Sequence, residues 1–290
     1  MSADETLTIE QIAETVNSSG FPLQLGLQRI VERSQDWEVA LVEHAWTDPL
    51  TGDPKFIDLV VTGKYRPWRL VIEAKRSRNT HWIFLAGKVG TTLKFDVRAR
   101  AVAEEHSVDE WLKLYFLPHS PAATFCVIRK NHQFSQELIE KTAAELTRAA
   151  DAIAAQETAI SPSARARAGG PVSLAGITVG VPPARVYFPV IVTTAKLYVA
   201  YGDYEDTNLA DGDLERIAGE EVPFVRLTKS LSVPQPGLGA ARRTNAIRGL
   251  GDAAERSVLV VQARQFGAFL DHWQLKLDST TQTWLTAMLT

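Results

Sequence analysis

The segment FIDLVVTGKYRPWRLVIEAKR, Phe56 to Arg76, constrains the fold more than any other part of the chain. Two short apolar runs, rich in Val, Ile and Leu, flank the turn TGKYRP. Runs of this length and composition read as strands, and so short a connection makes them antiparallel neighbours. WEVALVEHAW (Trp37–Trp46) precedes them across the turn signal DPLTGDP, so three strands form a meander. Yet Asp58, Glu73 and Lys75 interrupt segments otherwise suited to burial. A charge on such a strand needs a partner.

The rest of the chain supplies helices and further strands. TIEQIAETVNSSG has Thr8 and Gln11 at capping-box spacing, with Gly20 placed to end the helix. FPLQLGLQRIVERS follows, with Pro22 suited to a first helical turn. Its apolar stripe is Leu23, Leu27, Ile30 and Val31, while Gln24, Gln28 and Glu32 share another face. Lys88 to Phe116 is ambiguous, and SVDEWLKLYF within it reads as a helix. ATFCVIRK reads as a buried strand, and SQELIEKTAAELTRAADAIAAQ as a helix with Ser135 as its cap, its Ala-rich part covering a sheet. Residues 161–184 read as a loop. RVYFPVIVTTAKLYVAYGD reads as a hairpin; VPFVRLTKSLSVP and RSVLVVQARQF add strands, and FGAFLDHWQLKL ends in helix. GLGAARRTNAIRGLGD, within a connector at about 236–256, lacks the Gly-Lys-Ser/Thr of a phosphate loop. The expected class is α/β: an α+β mixed sheet with helices on its faces, in a single domain spanning 1–290.

Composition narrows the function. The 290 residues are 45% hydrophobic, enough for a sizeable core. No run of about 18 apolar residues occurs, so no membrane span is expected. The acidic start MSADETLTIE is unlike a signal peptide, and a cytoplasmic location is expected. Cys126 is the single cysteine, which excludes an intrachain disulfide and reads as a buried thiol. Net charge is -3 and the pI about 6.1, unlike a protein that coats DNA non-specifically. The short basic clusters at Lys75–Arg78, Arg98–Arg100, Arg165–Arg167 and Arg242–Arg243 read as solvated faces. His44, His81, His106, His119, His132 and His272 show no zinc spacing with a cysteine partner. Trp68, Trp82, Phe84 and Trp111 read as core packing.

Alternation on a strand explains the three charges. Residues i and i+2 point to one side of a sheet, so Glu73 and Lys75 project together with Val71. Leu70, Ile72 and Ala74 face the other way. Asp58 can reach the same spot from the neighbouring strand. Two convergent carboxylates suit Mg²⁺ (or Mn²⁺), a hard cation that takes oxygen ligands. The Ala74 carbonyl could add a further ligand. Such an ion polarises a phosphoryl group and activates water, while Lys75 stabilises the charge that develops.

The pattern Ile57–Asp58 followed by Glu73–Ala74–Lys75 resembles the PD-(D/E)XK nuclease superfamily, in an uncharacterised prokaryotic branch. The proline of that family's name is Ile57 here. THWIFLAG, beyond the motif, is similar to the hydrophobic continuation of some relatives. The resemblance spans about residues 20–130. It implies a restriction-endonuclease-like core in α-β-β-β-α-β order, with ATFCVIRK as fourth core strand. The residues themselves place an extension of the sheet at about 185–275. It implies Asp58, Glu73 and Ala74 as metal ligands and Lys75 as a catalytic residue. Many members carry a glutamate on the first helix. Gln24 is the nearest match here, and Glu32 and Glu43 are the alternative acids. The implied function is Mg²⁺-dependent cleavage of DNA, endo- or exonucleolytic, in restriction, phage defence or repair. The alternatives are a catalytically weak nuclease-fold module that binds nucleic acid or a partner protein, and a structural protein with an incidental triad. A homodimer fits paired cuts on duplex.

Overall fold

A computed structural model of the chain describes residues 7–64, 66–87, 96–103, 108–117, 120–131, 133–135, 137–167, 173–174, 177–178, 184–230 and 254–275. It is mixed α/β, mostly sheet with a few helices. The chain opens with α1 (Ile9–Ser19) and α2 (Phe21–Glu32). Thr8 and Gln11 form the expected capping box. Gly20 ends α1 at φ 91°, where the lack of a Cβ matters, and Pro22 lies in the first turn of α2. The meander follows as β1 (Trp37–Thr47), β2 (Pro54–Gly63) and β3 (Trp68–Lys75), antiparallel throughout.

Next come β4 (Thr80–Ala86), β5 (Asp96–Ala103), β6 (Val108–Leu117), β7 (Ala122–Ala123), β8 (Phe125–Lys130) and β9 (Gln133–Ser135). The long helix α3 (Glu137–Arg167) leads to the short pair β10 (Ser173–Leu174) and β11 (Ile177–Thr178). The C-terminal part holds β12 (Ala184–Thr193), β13 (Lys196–Tyr201), β14 (Ala218–Glu221), β15 (Phe224–Ser230), β16 (Glu255–Gln262), α4 (Phe266–Asp271) and β17 (Gln274–Leu275).

The main sheet runs β1-β2-β3-β12-β16-β15-β7, with β5, β6 and β17 joined through β12. Its centre is the parallel pair β3 and β12, in register from Trp68↔Val186 to Lys75↔Thr193. Every residue from Arg185 to Thr193 is buried, as a strand covered on both faces requires. Pro189 is tolerated there for a specific reason. Val186 and Thr194 donate their N–H groups to Pro67 and Lys75, so even-numbered nitrogens face β3. The Pro189 nitrogen therefore faces the other edge. That edge pairs with β5 up to Tyr187 and with β16 from Val190. The missing donor falls in the gap between them.

Two apolar clusters sandwich this sheet. On one face, α3 packs Ile139, Ala143, Leu146, Ala150 and Ile153 against Val71, Tyr187, Ile191 and Val258. Each fully buried Ile or Leu contributes about 2 kcal/mol. On the other, Leu27 and Val31 of α2 and Phe266, Phe269 and Leu270 of α4 cover Leu70, Ile72, Phe188, Val190 and Leu259. A second sheet, β14-β13-β4-β8-β9, turns Trp82, Phe84, Cys126, Leu197 and Val199 into the first cluster. Trp82 and Phe84 are thus core, and burial raises the Cys126 thiol far above its ordinary pKa.

Several expectations are corrected. SVDEWLKLYF is strand β6, because β5 offers it an open edge from Asp96↔Tyr115 to Ala103↔Val108. ATFCVIRK supplies β8, which pairs with β4 in the second sheet rather than with the meander. β12 and β13 are not a hairpin: they belong to different sheets. The C-terminal strands enter the middle of the main sheet instead of extending its edge. Residues 161–167 continue α3 rather than opening a loop, and FGAFLDHWQLKL closes on β17. Ser135 ends β9. Arg98 and Arg100 are not a solvated face. They turn inward to Glu255 and Asp151, with side chains 17% and 11% exposed. His106, His119, His132, Arg242, Arg243 and the connector at 231–253 lie outside the described residues. Among the described residues no helix is long and apolar enough to cross a membrane.

A buried ion cluster ties α3 to the meander. The Asp48 side chain, fully buried after β1, accepts both Arg148 Nε and Nη2 at 2.9 Å. Lys55 Nζ lies 3.0 Å away, and Leu50 donates its N–H. Burial works to raise this carboxyl, but Arg148, Leu50 and Lys55 outweigh it and hold it well below the ordinary carboxylate range. Asp48→Asn should destabilise the fold by about 3 kcal/mol in urea at pH 7, because Arg148 loses its counter-charge and Lys55 keeps only Glu145. A depressed carboxyl stabilises above its unfolded pKa near 3.8 and ceases to do so in acid. The gap between wild type and variant should therefore shrink below about pH 4, and a gap constant down to pH 3 contradicts the assignment.

Candidate active site

The site forms where β2 leaves β3. Their backbone register runs from Thr62↔Arg69 to Leu59↔Ile72 and stops there. Asp58, one residue further, uses its side chain instead. Asp58 Oδ2 accepts the Ala74 N–H at 2.6 Å. In a strand the N–H and C=O of one residue point to the same edge, so the Ala74 carbonyl also faces the Asp58 side.

Helix α2 adds the next residue. Gln24, in its first turn, donates Nε2 to Asp58 Oδ1 at 2.6 Å. Glu32 sits in the last turn, exposed and about 12 Å further along the helix axis. Gln24 is therefore the α2 residue that meets the motif. Both oxygens of Asp58 are engaged, yet a carboxylate offers about four acceptor positions. Directions remain for a further donor or a cation.

Glu73 and Lys75 project together, as alternation requires. Lys75 Nζ donates to Glu73 Oε1 at 2.6 Å, with the side chains 31% and 22% exposed. They share the face of buried Val71. Beside Glu73 a cleft of about 50 Å³ is lined by Trp46, Lys55, Ile57 and Glu145. A water molecule occupies about 30 Å³, so the cleft has room for little more than one.

A further carboxylate stands opposite Asp58. The pairs Val42↔Leu59 and His44↔Ile57 set Glu43 across from it. Glu43 has φ 47°, a left-handed conformation that costs a non-glycine residue on the order of 1 kcal/mol. The distortion coincides with a break in alternation: Ile57 and Leu59 contribute to opposite apolar clusters. No sequence signal marks this backbone; Glu43 was readable only as one more acid on β1.

Charge density follows from this placement. Burial first, then Glu73 and Glu43, push Asp58 up to about 6, against the pull of the Ala74 N–H and Lys75. A buried carboxyl raised by neighbouring acids marks an oxygen-rich site short of positive charge. Asp58, Glu73 and the Ala74 carbonyl fit a divalent cation in chemistry. Among the described residues no group of three or more His, Cys, Asp and Glu side chains is gathered closely enough to hold a metal by itself. His44 bonds to Gln156 on α3, and His272 to the Ala268 carbonyl, so neither serves the site. No family model, curated protein or solved structure matches the chain.

The raised Asp58 carboxyl has a defined effect on stability. The folded protein holds this proton more tightly than the unfolded chain, so the contribution is full below pH 3.8 and gone above about 6. Raising the pH from 4 to 8 should lower the unfolding free energy of wild type by about 2 kcal/mol relative to Asp58→Asn. Urea titrations of both proteins at the two pH values test this. Parallel pH profiles would remove the electrostatic assignment.

Proposed function

We propose that the chain is a divalent-metal-dependent nuclease that hydrolyses phosphodiester bonds in DNA, in a setting such as restriction, phage defence or repair. The observation that carries this reading is the convergence of Gln24, Asp58 and the Ala74 backbone beside the Glu73–Lys75 pair. Chain order supports it too. Helix α2, strands β1 to β3, helix α3 and parallel strand β12 follow the α-β-β-β-α-β order of a restriction-endonuclease-like core, once β4 to β9 are taken as an insertion.

Asp58 and Glu73, with the Ala74 carbonyl, would hold Mg²⁺ or Mn²⁺. Such an ion, when bound, supplies a Lewis acid for a phosphate oxygen and a more acidic water. Asp58 must be ionised to act as a ligand, and its carboxyl near 6 makes that state dominant at neutral pH. Gln24 fixes the Asp58 carboxylate through one oxygen and the Ala74 N–H fixes it through the other. Lys75, with Glu73 as its partner, keeps its ammonium at the site. There it can orient water and stabilise negative charge on the phosphorus centre.

One observation favours a second reading. Gln24 is a neutral donor in the position nearest to the helix glutamate of the resembled family, which weakens metal affinity. A catalytically weak module that binds DNA or a partner protein follows from that. The two readings separate on plasmid, linear and single-stranded DNA, and RNA, incubated with Mg²⁺ or Mn²⁺. Wild type should cut, and Lys75→Ala and Asp58→Ala should each lose about 100-fold or more. Cleavage should also fade as the pH drops through 6, where protons displace the metal from Asp58. Binding without cleavage selects the second reading. Equal cutting by wild type and Lys75→Ala, or no metal uptake in a calorimetric titration, defeats the first.

A further inference from the structure

We propose that the open face of the second sheet is a groove for a single, unpaired nucleic-acid strand. The groove rests on its own geometry and stands apart from the nuclease reading. A cavity of about 780 Å³ lies across β13, β4 and β8. In register, His81 stands between Lys196 on β13 and Arg129 on β8. All three are exposed. Tyr198, on the same face as Lys196, packs its ring against His81 with centroids 5.7 Å apart. No Asp or Glu lines the cavity among the described residues, although the chain carries 34 acidic against 31 basic residues.

Asn79 and Asn131, both lining residues, sit in turns at φ of 55° and 53°, a conformation asparagine adopts readily.

The groove and the candidate site lie on successive strand pairs. The parallel pair β3 and β12 turns a corner and goes on as the parallel pair β4 and β13. Thr194 locks that corner: its N–H donates to the Lys75 carbonyl at 3.2 Å, and its Oγ1 accepts the Ser77 N–H at 2.8 Å. Glu73 and Lys75 thus lie just before the bend and the basic cavity just after it.

The chemistry selects unpaired bases. Stacking on Tyr198 and His81 needs an exposed base face, which a duplex hides. The cations space along a sheet face, as in platforms that track one backbone. DNA and RNA share this chemistry, and the sugar is assigned by experiment.

Fluorescence anisotropy in EDTA measures binding without cleavage. The probes are a labelled oligothymidylate, an oligouridylate of equal length, and a mixed-sequence duplex. Wild type should bind single strands at least about tenfold tighter than duplex. Tyr198→Ala should weaken single-strand binding by about tenfold. Arg129→Ala/Lys196→Ala should do the same and flatten the salt slope by about 1.4. A thymidylate or uridylate preference assigns the sugar, and either supports the groove. Preference for duplex, no binding of any probe, or unchanged binding by both groove variants overturns it. If wild type shows the expected binding yet cuts nothing with Mg²⁺ or Mn²⁺, the nuclease reading falls and the groove stands. If cutting depends on Lys75 while the groove variants bind and cut normally, the reverse holds.

Discussion

The parallel pairing of β3 with β12 is the constraint on which the rest of the structure depends. It places a fully buried strand against the one that carries Glu73 and Lys75. Because β12 takes up the outward edge of β3 along its whole length, the opposite edge is left for β2. Where β2 departs, the Ala74 amide would be unpaired, and Asp58 fills the vacancy with a side chain. The carboxylate is therefore held by the sheet's own hydrogen-bonding needs, and its orientation does not rely on a flexible rotamer. The same ladder, bent at Thr194, carries the basic cavity. Site and cavity lie on successive strand pairs, β3 with β12 and β4 with β13.

Helix α3 makes the pairing durable. Its alanines permit close approach to the sheet, and its charged residues reach past the apolar stripe to named partners. Arg148 meets Asp48, Glu145 meets Lys55, Asp151 meets Arg100, and Glu157 meets Arg69 and accepts from Tyr187. These pairs sit on the flanks of the apolar stripe, where partial burial strengthens them relative to surface pairs. The meander's turn is pinned in this way, so the opposed carboxylates of Asp58 and Glu43 cannot relax apart by sliding β1. Local rules are broken where this happens. A non-glycine residue takes a left-handed φ, and a carboxyl is pushed to about 6. Such violations concentrate where a fold holds a site against its own preference.

The sequence made some of this legible. Short-range turns exposed the meander, and alternation put Glu73, Lys75 and Val71 on one side. The helix start singled out Gln24. Other elements were hidden for physical reasons. RVYFPVIVTT is apolar at nearly every position, so it carries no face information, and a partner as distant as β3 leaves no trace in it. DEWLKLYF satisfies both a helical and a strand period in part; the open edge of β5 decided it. The corner at Thr194 looked like a hairpin turn because both flanking runs are strand-like. The left-handed backbone at Glu43 leaves no mark in composition. Asp48 read as an ordinary turn residue, since its cation Arg148 lies far away on α3.

The distance in sequence between β3 and β12 has a consequence during synthesis. Glu73 has left the ribosome long before its register partner Ile191 is made, a delay of roughly ten seconds at ordinary translation speed. Throughout that interval one edge of an apolar strand stands open to any neighbouring chain. Charges flanking an apolar strand are a general deterrent to misassembly, and Glu73 and Lys75 lie at the end of this one. The residues assigned to chemistry in the finished protein would thus already be useful while it is half made.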